Sequence, residues 1–205
     1  MKSAIDITHL SKTFPGAKTP AIHSLTTQIQ QGIITGLVGP DGAGKTTLLR
    51  LIAGLLLPTH GHIKVLGIDT IKDADRLHDC IGYMPQKFGL YEDLTVMENL
   101  NLYAALHGVV GPEKKATFER LLHFTSLKPF TARLAGRLSG GMKQKLGLAC
   151  SLLSRPKVLL LDEPSVGVDP ISRRELWRMV QELVTEGITV IWSTAYLDEA
   201  EKCDQ

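Results

Sequence analysis

Apolar and polar residues alternate along Ala4–Leu10, with Ile5 and Ile7 set against Asp6 and Thr8, and this period of two predicts a strand. Ala21–Gln30 reads as its hairpin partner, joined through a loop at Pro15 and Gly16. Ile33–Val38 is a short apolar run ending in glycine, which suits a buried strand. Thr46–Ala53 switches to helical spacing, with Gly54 as its C-cap. His62–Leu66 and Ile81–Met84 read as strands, and Thr95–His107 and Glu113–Thr125 as helices separated by Gly108–Pro112. Ser139 caps a helix whose apolar part is Leu146–Leu153. Strand Lys157–Leu161, helix Ser172–Glu186, strand Ile188–Ser193 and a helix from Tyr196 complete the pattern.

Strands that alternate with helices predict an α/β fold with a mostly parallel sheet covered on both faces. The stretch from Tyr91 to Leu153 is helical only and reads as a subdomain inserted into that core. The expected organisation is one domain over residues 1–205, with 1–90 and 154–205 as core plus β subdomain and 91–153 as the helical subdomain. The chain stops at Gln205 within the helix-like pattern Leu197–Cys203, so the reading is of a C-terminally truncated domain.

A length of 205 residues with 43% hydrophobic and 21% charged residues is ordinary for a globular domain with a sizeable core. The formal net charge of +2 gives no strong field for nucleic acid, and no nucleic-acid partner is expected. Cys80, Cys150 and Cys203 lack metal-ligand spacing and form no disulfide framework, which fits a reducing cytosol. No secretory signal opens the chain, and no apolar run reaches the ~20 residues a membrane span needs. The long uncharged run Ala21–Pro40 carries Ser24, Thr26, Thr27, Gln28, Gln30 and Gln31. Work at a membrane would therefore need another chain to do the spanning.

The chemistry lies in a few short motifs. Gly39, Pro40, Asp41, Gly42, Ala43, Gly44, Lys45 and Thr46 fit G-x-x-x-x-G-K-[ST] without a gap, between a predicted strand and a predicted helix. Glycines let backbone N–H groups wrap phosphates, Lys45 reaches the β- and γ-phosphates, and the Thr46 hydroxyl ligates Mg²⁺. Asp162 ends an apolar strand, where a carboxylate can hold Mg²⁺ directly or through water; Glu163 beside it can polarise an attacking water. Gln86 follows the Ile81–Pro85 strand, within reach of Mg²⁺ or that water, although a glutamine there is in isolation more often a plain loop residue. Phe14 lies in the first loop and either stacks on a purine or packs. Ser139, Gly140 and Gly141 open a helix whose bare N–H groups make an anion site.

Phe14, Gly39–Thr46, Gln86, Leu138–Lys145, Leu159–Pro164 and Ser165–Asp169 occur in the order found in the nucleotide-binding domain of ATP-binding cassette (ABC) ATPases. The chain resembles that family over essentially its whole length. The resemblance implies a P-loop NTPase fold with a RecA-like core, an antiparallel β subdomain and an inserted α-helical subdomain. It implies ATP and Mg²⁺ as cofactors. In the family's terms Gly39–Thr46, with Thr47 after it, is the Walker A loop, Asp162 the Walker B carboxylate and Glu163 the catalytic base. Gln86 is the Q-loop glutamine, catalytic with Lys45 and metal-binding with Thr46 and Asp162. Phe14 is the adenine-stacking aromatic, and Asp169 belongs to the D-loop. The family's cassettes pair head to tail, so Ser139, Gly140 and Gly141 would clamp an ATP held by a second cassette, in the same polypeptide or a dimer mate.

The stretch Phe88–Leu100, with Met142–Lys145 and Gly167–Pro170, is similar to ATPases of ABC-2 type exporters, in particular to the N-terminal cassette of two-cassette exporter ATPases. This implies an integral membrane permease as partner, with a coupling helix docked near Gln86–Leu100, and a place on the cytoplasmic face of the inner membrane. The family usually continues with a further strand pair, without which the sheet would lose an edge cover. One position departs from the pattern: Ala195 stands where most members have a γ-phosphate-contacting histidine. Loss of one positioned donor costs about 2.7–4 kcal/mol in a transition state. The expectation is a weak site that binds MgATP and cleaves it slowly, while a second cassette carries most turnover. The rival reading is a soluble ribosome-associated two-cassette ABC ATPase, which would be expected to carry basic arms. A DNA-repair ATPase with a long coiled coil does not fit the short helical stretch, and no Asn-Lys-x-Asp motif marks a GTPase.

Overall fold

The computed structural model describes residues 2–87 and 89–205; Met1 and Phe88, the first position of the exporter-like stretch, lie outside the described residues. In chain order the elements are β1 (Ser3–Lys12), β2 (Ile22–Gln30), β3 (Ile34–Val38), α1 (Lys45–Ile52), β4 (His60–Val65), β5 (Ile68–Asp69), α2 (Ala74–His78) and β6 (Ile81–Met84). Then come α3 (Val96–Leu106), α4 (Gly111–Phe124), α5 (Gly140–Ser151), β7 (Val158–Asp162), α6 (Pro170–Thr185), β8 (Thr189–Thr194) and α7 (Leu197–Ala200). Two single 3-10 turns, Lys128–Phe130 and Ala135–Arg137, lie between α4 and α5.

The strands form two four-stranded sheets, one in the order β2-β1-β4-β5 and one in the order β3-β8-β7-β6. The first is antiparallel throughout and the second parallel throughout. β7 shows why the parallel sheet reads as an unbroken apolar run: all five of its residues are buried. Leu159 and Leu161 point into a core shared with α3, α4, α5 and α6. Val158 and Leu160 point into a second core made with α1 and the antiparallel sheet. On β8, Val190 and Trp192 face the first core and Ile191 the second. Trp192 meets Trp177 of α6 edge-on, with ring centroids 5.0 Å apart and planes at 71°.

Local chemistry sets the boundaries. α3 begins with a capping box, in which Thr95 N donates to Glu98 Oε2 (2.7 Å) and Glu98 N donates to Thr95 Oγ1 (3.2 Å). α6 begins at Asp169, whose Oδ1 accepts from Ile171 N and Ser172 N, both at 3.0 Å. Gly54 lies one residue past the α1 C-cap, Ala53, at φ 71°, the usual glycine place at a helix end. Two elements were not expected from the pattern, β5 and α2. β5 is a two-residue hairpin strand reached through Leu66 (φ 52°) and Gly67 (φ 82°), a turn with both central residues left-handed. Leucine at the first of those positions carries no turn signal, so the strand reading simply ran on to Leu66. On the outer edge of β3, Asp204 N donates to Ile34 O (2.9 Å) and Gly36 N to Gln205 O (2.8 Å).

Candidate functional site

The loop between β3 and α1 brings the glycine-rich motif to the end of the parallel sheet. α1 starts at Lys45 with Gly44 as N-cap at φ 94° and no capping side chain, so its first N–H groups remain available to a ligand. Gly44 is required on two counts. Its φ is left-handed, and a Cβ there would stand 2.6 Å from the Ala21 carbonyl oxygen.

Around this helix start lies a cavity of about 370 Å³ lined by Ala21, Asp41, Gly42, Gly44, Lys45, Thr46, Thr47, Gln86 and Glu163. Lys45 is 6% exposed and Glu163 7%. The Lys45 ammonium donates to Gly39 O (2.6 Å) and Pro40 O (3.0 Å) and pairs with Glu163 Oε1 at 3.0 Å. All three of its donors are thereby used. Gln86 Nε2 donates to the other oxygen, Glu163 Oε2, at 2.9 Å. Lys45, Gln86 and Glu163, separated by as many as 118 positions in the chain, thus form one hydrogen-bonded unit.

Asp162 closes β7 just beneath, 1% exposed. Ser193 Oγ donates to its Oδ1 at 2.9 Å, and the Tyr83 hydroxyl to its Oδ2 at 3.3 Å. Among the described residues it has no ion-pair partner. Asp162 itself does not line the cavity, but it is a buried carboxylate held by neutral donors on the residue before Glu163, and with the Thr46 hydroxyl and the Gln86 amide of the cavity lining it offers hard oxygen ligands of the kind Mg²⁺ takes. The residues present fit that ion.

Phe14 does not line the cavity. It sits on the turn after β1, 39% exposed, with the Lys12 ammonium 5.2 Å from its ring centre. Gly39, Pro40 and Ala43 shape the loop without lining the cavity, and Gly39 N donates to Thr194 O (3.3 Å), which ties the loop to the end of β8. Ser139, Gly140 and Gly141 lie elsewhere, at the start of α5, where Ser139 Oγ accepts from Met142 N at 3.3 Å. Ser139 and Gly140 are exposed. Gly141 is buried against α6, and a Cβ on it would meet Ser172 Cβ at 2.4 Å. Asp169, placed in the D-loop by the resemblance, is the α6 cap, and the Ser172 hydroxyl with the neighbouring N–H groups holds its carboxyl below the usual range. Ala195 is exposed directly after β8.

Three contributors escaped the sequence reading. Ala21 approaches from the chain entering β2, and Ser193 and Tyr83 come from the strands flanking β7. Ser193 stands in parallel register with Asp162, a pairing that the structure shows and the sequence alone does not.

Comparison with known proteins is consistent across sequence and structure. Residues 22–166 match the family model described as ABC transporter. The chain is 66% identical over 201 residues to "Probable multidrug ABC transporter ATP-binding protein YbhF" of Escherichia coli, covering 98% of this chain and 35% of that protein. It is 38% identical over 204 residues to "Nod factor export ATP-binding protein I" of Rhizobium etli, covering 99% of this chain and 64% of that one. The chain thus spans about a third of the length of the first relative. Among solved structures, the ATP-binding cassette MJ0796, a dimer in a post-hydrolysis state bound to ADP and Pi, superposes with a TM-score of 0.84 at 27% identity, over 96% of this chain and 90% of that one.

Proposed function

The chain belongs to the ABC transporter family, and from that premise we propose that it is an ATP-binding, ATP-hydrolysing cassette of an exporter whose membrane-spanning part is a permease. The observation that carries this reading is the hydrogen-bonded Lys45–Glu163–Gln86 unit, its Lys45 and Glu163 buried, at the uncapped start of α1. Each element has work to do on a nucleotide triphosphate. The backbone N–H groups from Gly42 to Thr46 and the helix dipole receive phosphate oxygens. Lys45 exchanges its carbonyl contacts, and its contact with Glu163, for the β- and γ-phosphates. That exchange frees Glu163 Oε1 to accept a proton from the attacking water. Gln86, bonded to the same carboxylate, orients that water. Mg²⁺, held by Thr46, Asp162 and Gln86, would neutralise charge on the phosphates when bound.

Exposure of Ser139 and Gly140 outside the chain's own cavity supports their service to an ATP on a second cassette. The names of the relatives, which speak of multidrug transport and Nod factor export, support an export role. No described helix is long and apolar enough to cross a membrane, so the spanning part would come from elsewhere, with this cassette on the cytoplasmic face. Ala195 offers no donor to the γ-phosphate, and we take this site to be the slower of two.

Glu163→Gln in the intact protein tests the reading. ATP-analogue affinity should stay within about twofold of wild type. Steady-state ATP hydrolysis should fall only in part, since one missing donor already slows this site by roughly 10²–10³-fold. Complete loss of turnover would show that this site does the hydrolysis. An intact wild-type protein that binds no ATP, or that sediments with ribosomes instead of permease-containing membranes, would overturn the function itself.

A further inference from the structure

The carboxylate of Asp162 is gripped from both sides of β7, and the two grips differ. Ser193 comes from the adjoining strand β8 and belongs wholly to the site: its Oγ donates to Asp162 Oδ1 and accepts from Glu163 N, both at 2.9 Å. Tyr83 comes from β6, on the other flank, in register with Leu160, and reaches along the sheet so that its hydroxyl donates to Asp162 Oδ2 at 3.3 Å. The Tyr83 side chain also lines a second cavity, of about 210 Å³, between the end of α1, β6 and the C-terminal ends of α3 and α5, with Leu55 exposed on its rim. This groove shares no lining residue with the cavity around Lys45. Tyr83 is therefore the residue that touches both the groove and the carboxylate.

We propose that Tyr83 is a positioning residue for Asp162 and that it links the packing of this groove to the metal-holding carboxylate. The inference rests on the reading of the Lys45 site as a MgATP site. Its physical basis is short. A phenol ring is rigid, so a shift of the ring in the groove moves its hydroxyl by a similar amount. A bond already at 3.3 Å is near the limit at which a hydroxyl still restrains its acceptor. Groups that hydrogen-bond a metal ligand tune its affinity by roughly 10–100-fold. A small ring displacement thus reaches Asp162 Oδ2 without any change at Lys45, Glu163 or Gln86.

Mn²⁺ binding in the presence of a non-hydrolysable ATP analogue, followed by electron paramagnetic resonance on the intact protein, tests this without relying on turnover. Tyr83→Phe keeps the ring and removes the hydroxyl. It should weaken Mn²⁺ about tenfold while metal-free nucleotide affinity stays within about twofold. Leu55→Trp, a change on the exposed rim of the groove, should shift Mn²⁺ affinity in the wild-type background and leave it unchanged when Tyr83→Phe is also present. Wild-type Mn²⁺ affinity in Tyr83→Phe would end the positioning role. An absent Leu55→Trp shift, or an equal one in both backgrounds, would end the link to the groove. A wild-type protein that binds no Mn²⁺ with the analogue would remove the MgATP reading itself, and the inference with it.

Discussion

Glu163 sits at φ 48°, in the left-handed region that non-glycine residues seldom occupy. The conformation costs on the order of 1–2 kcal/mol. It is held by the Ser193 bond to its N–H and by two partners on its carboxylate. The strain and the site coincide: the backbone turns sharply after Asp162, so that Asp162 meets Ser193 and Tyr83 while Glu163 meets Lys45 and Gln86. Another residue departs from ordinary behaviour for a different reason. His107 closes α3 and lines the groove beside Tyr83, where burial first, and the neighbouring His78 second, push its pKa below 6.5. The unfolded chain takes that proton at a higher pH than the folded chain does. The stability this histidine contributes is therefore present above 6.5 and is lost as pH falls through the lower folded value. Urea midpoints measured from about pH 7 to about pH 5 should fall, and His107→Asn should flatten that fall. An unchanged slope in the variant would assign the acid sensitivity to other groups.

Between elements, the tightest approach near the motifs is that of α5 to α6. A Cβ on Gly141 would stand 2.4 Å from Ser172 Cβ, and one on Gly140 would stand 2.9 Å from the Gly167 carbonyl. The Ser139-Gly140-Gly141 run is thus also a packing device that lets the α5 N-terminus abut Gly167 and the start of α6, the helix that Asp169 caps. Gly141→Ala should destabilise the domain by about 1–3 kcal/mol, and adding Ser172→Gly should recover much of it, as read by a double-mutant cycle in denaturant. Additive losses would mean that the helices part for another reason.

Periodicity placed β6 at its observed bounds and α3 to within a residue at each end, because amphipathic patterns and caps are local. The glycine-rich loop and the Asp162-Glu163 strand end stood out because their residue types sit together at one place in the chain, whereas Gln86 was singled out only by the family resemblance. Tyr83 and Ser193 were not, since they reach Asp162 through strand register, which a single chain does not announce. Phe14, offered as an adenine-stacking aromatic, lies outside the lining of the Lys45 cavity, on the turn after β1. α2 and β5 are too short for a period to be counted.

At the scale of the whole molecule, one parallel sheet divides two apolar cores and belongs to both. β7 supplies Leu159 and Leu161 to one and Val158 and Leu160 to the other, so neither core can loosen without disturbing a strand that ends at Asp162. Leu160→Ala should cost about 2–5 kcal/mol. Hydrogen exchange should show the loss equally at the slowest amides of β1, on its own side, and of α5, across the sheet. Loss confined to β1 would mean that the two cores open separately.

The chain's two tryptophans, Trp177 and Trp192, meet across that first core with centroids 5.0 Å apart at 71°. Transition dipoles so close and so skewed couple, and the folded cassette should carry an exciton couplet in circular dichroism that disappears when α6 lifts from β8. Trp192 Nε1 also donates to Glu199 Oε2 at 3.0 Å, and Glu199 closes the segment that begins at Ala195. The segment that follows β8 is thereby wired to a chromophore pair built into the sequence, and its movements have a colour of their own.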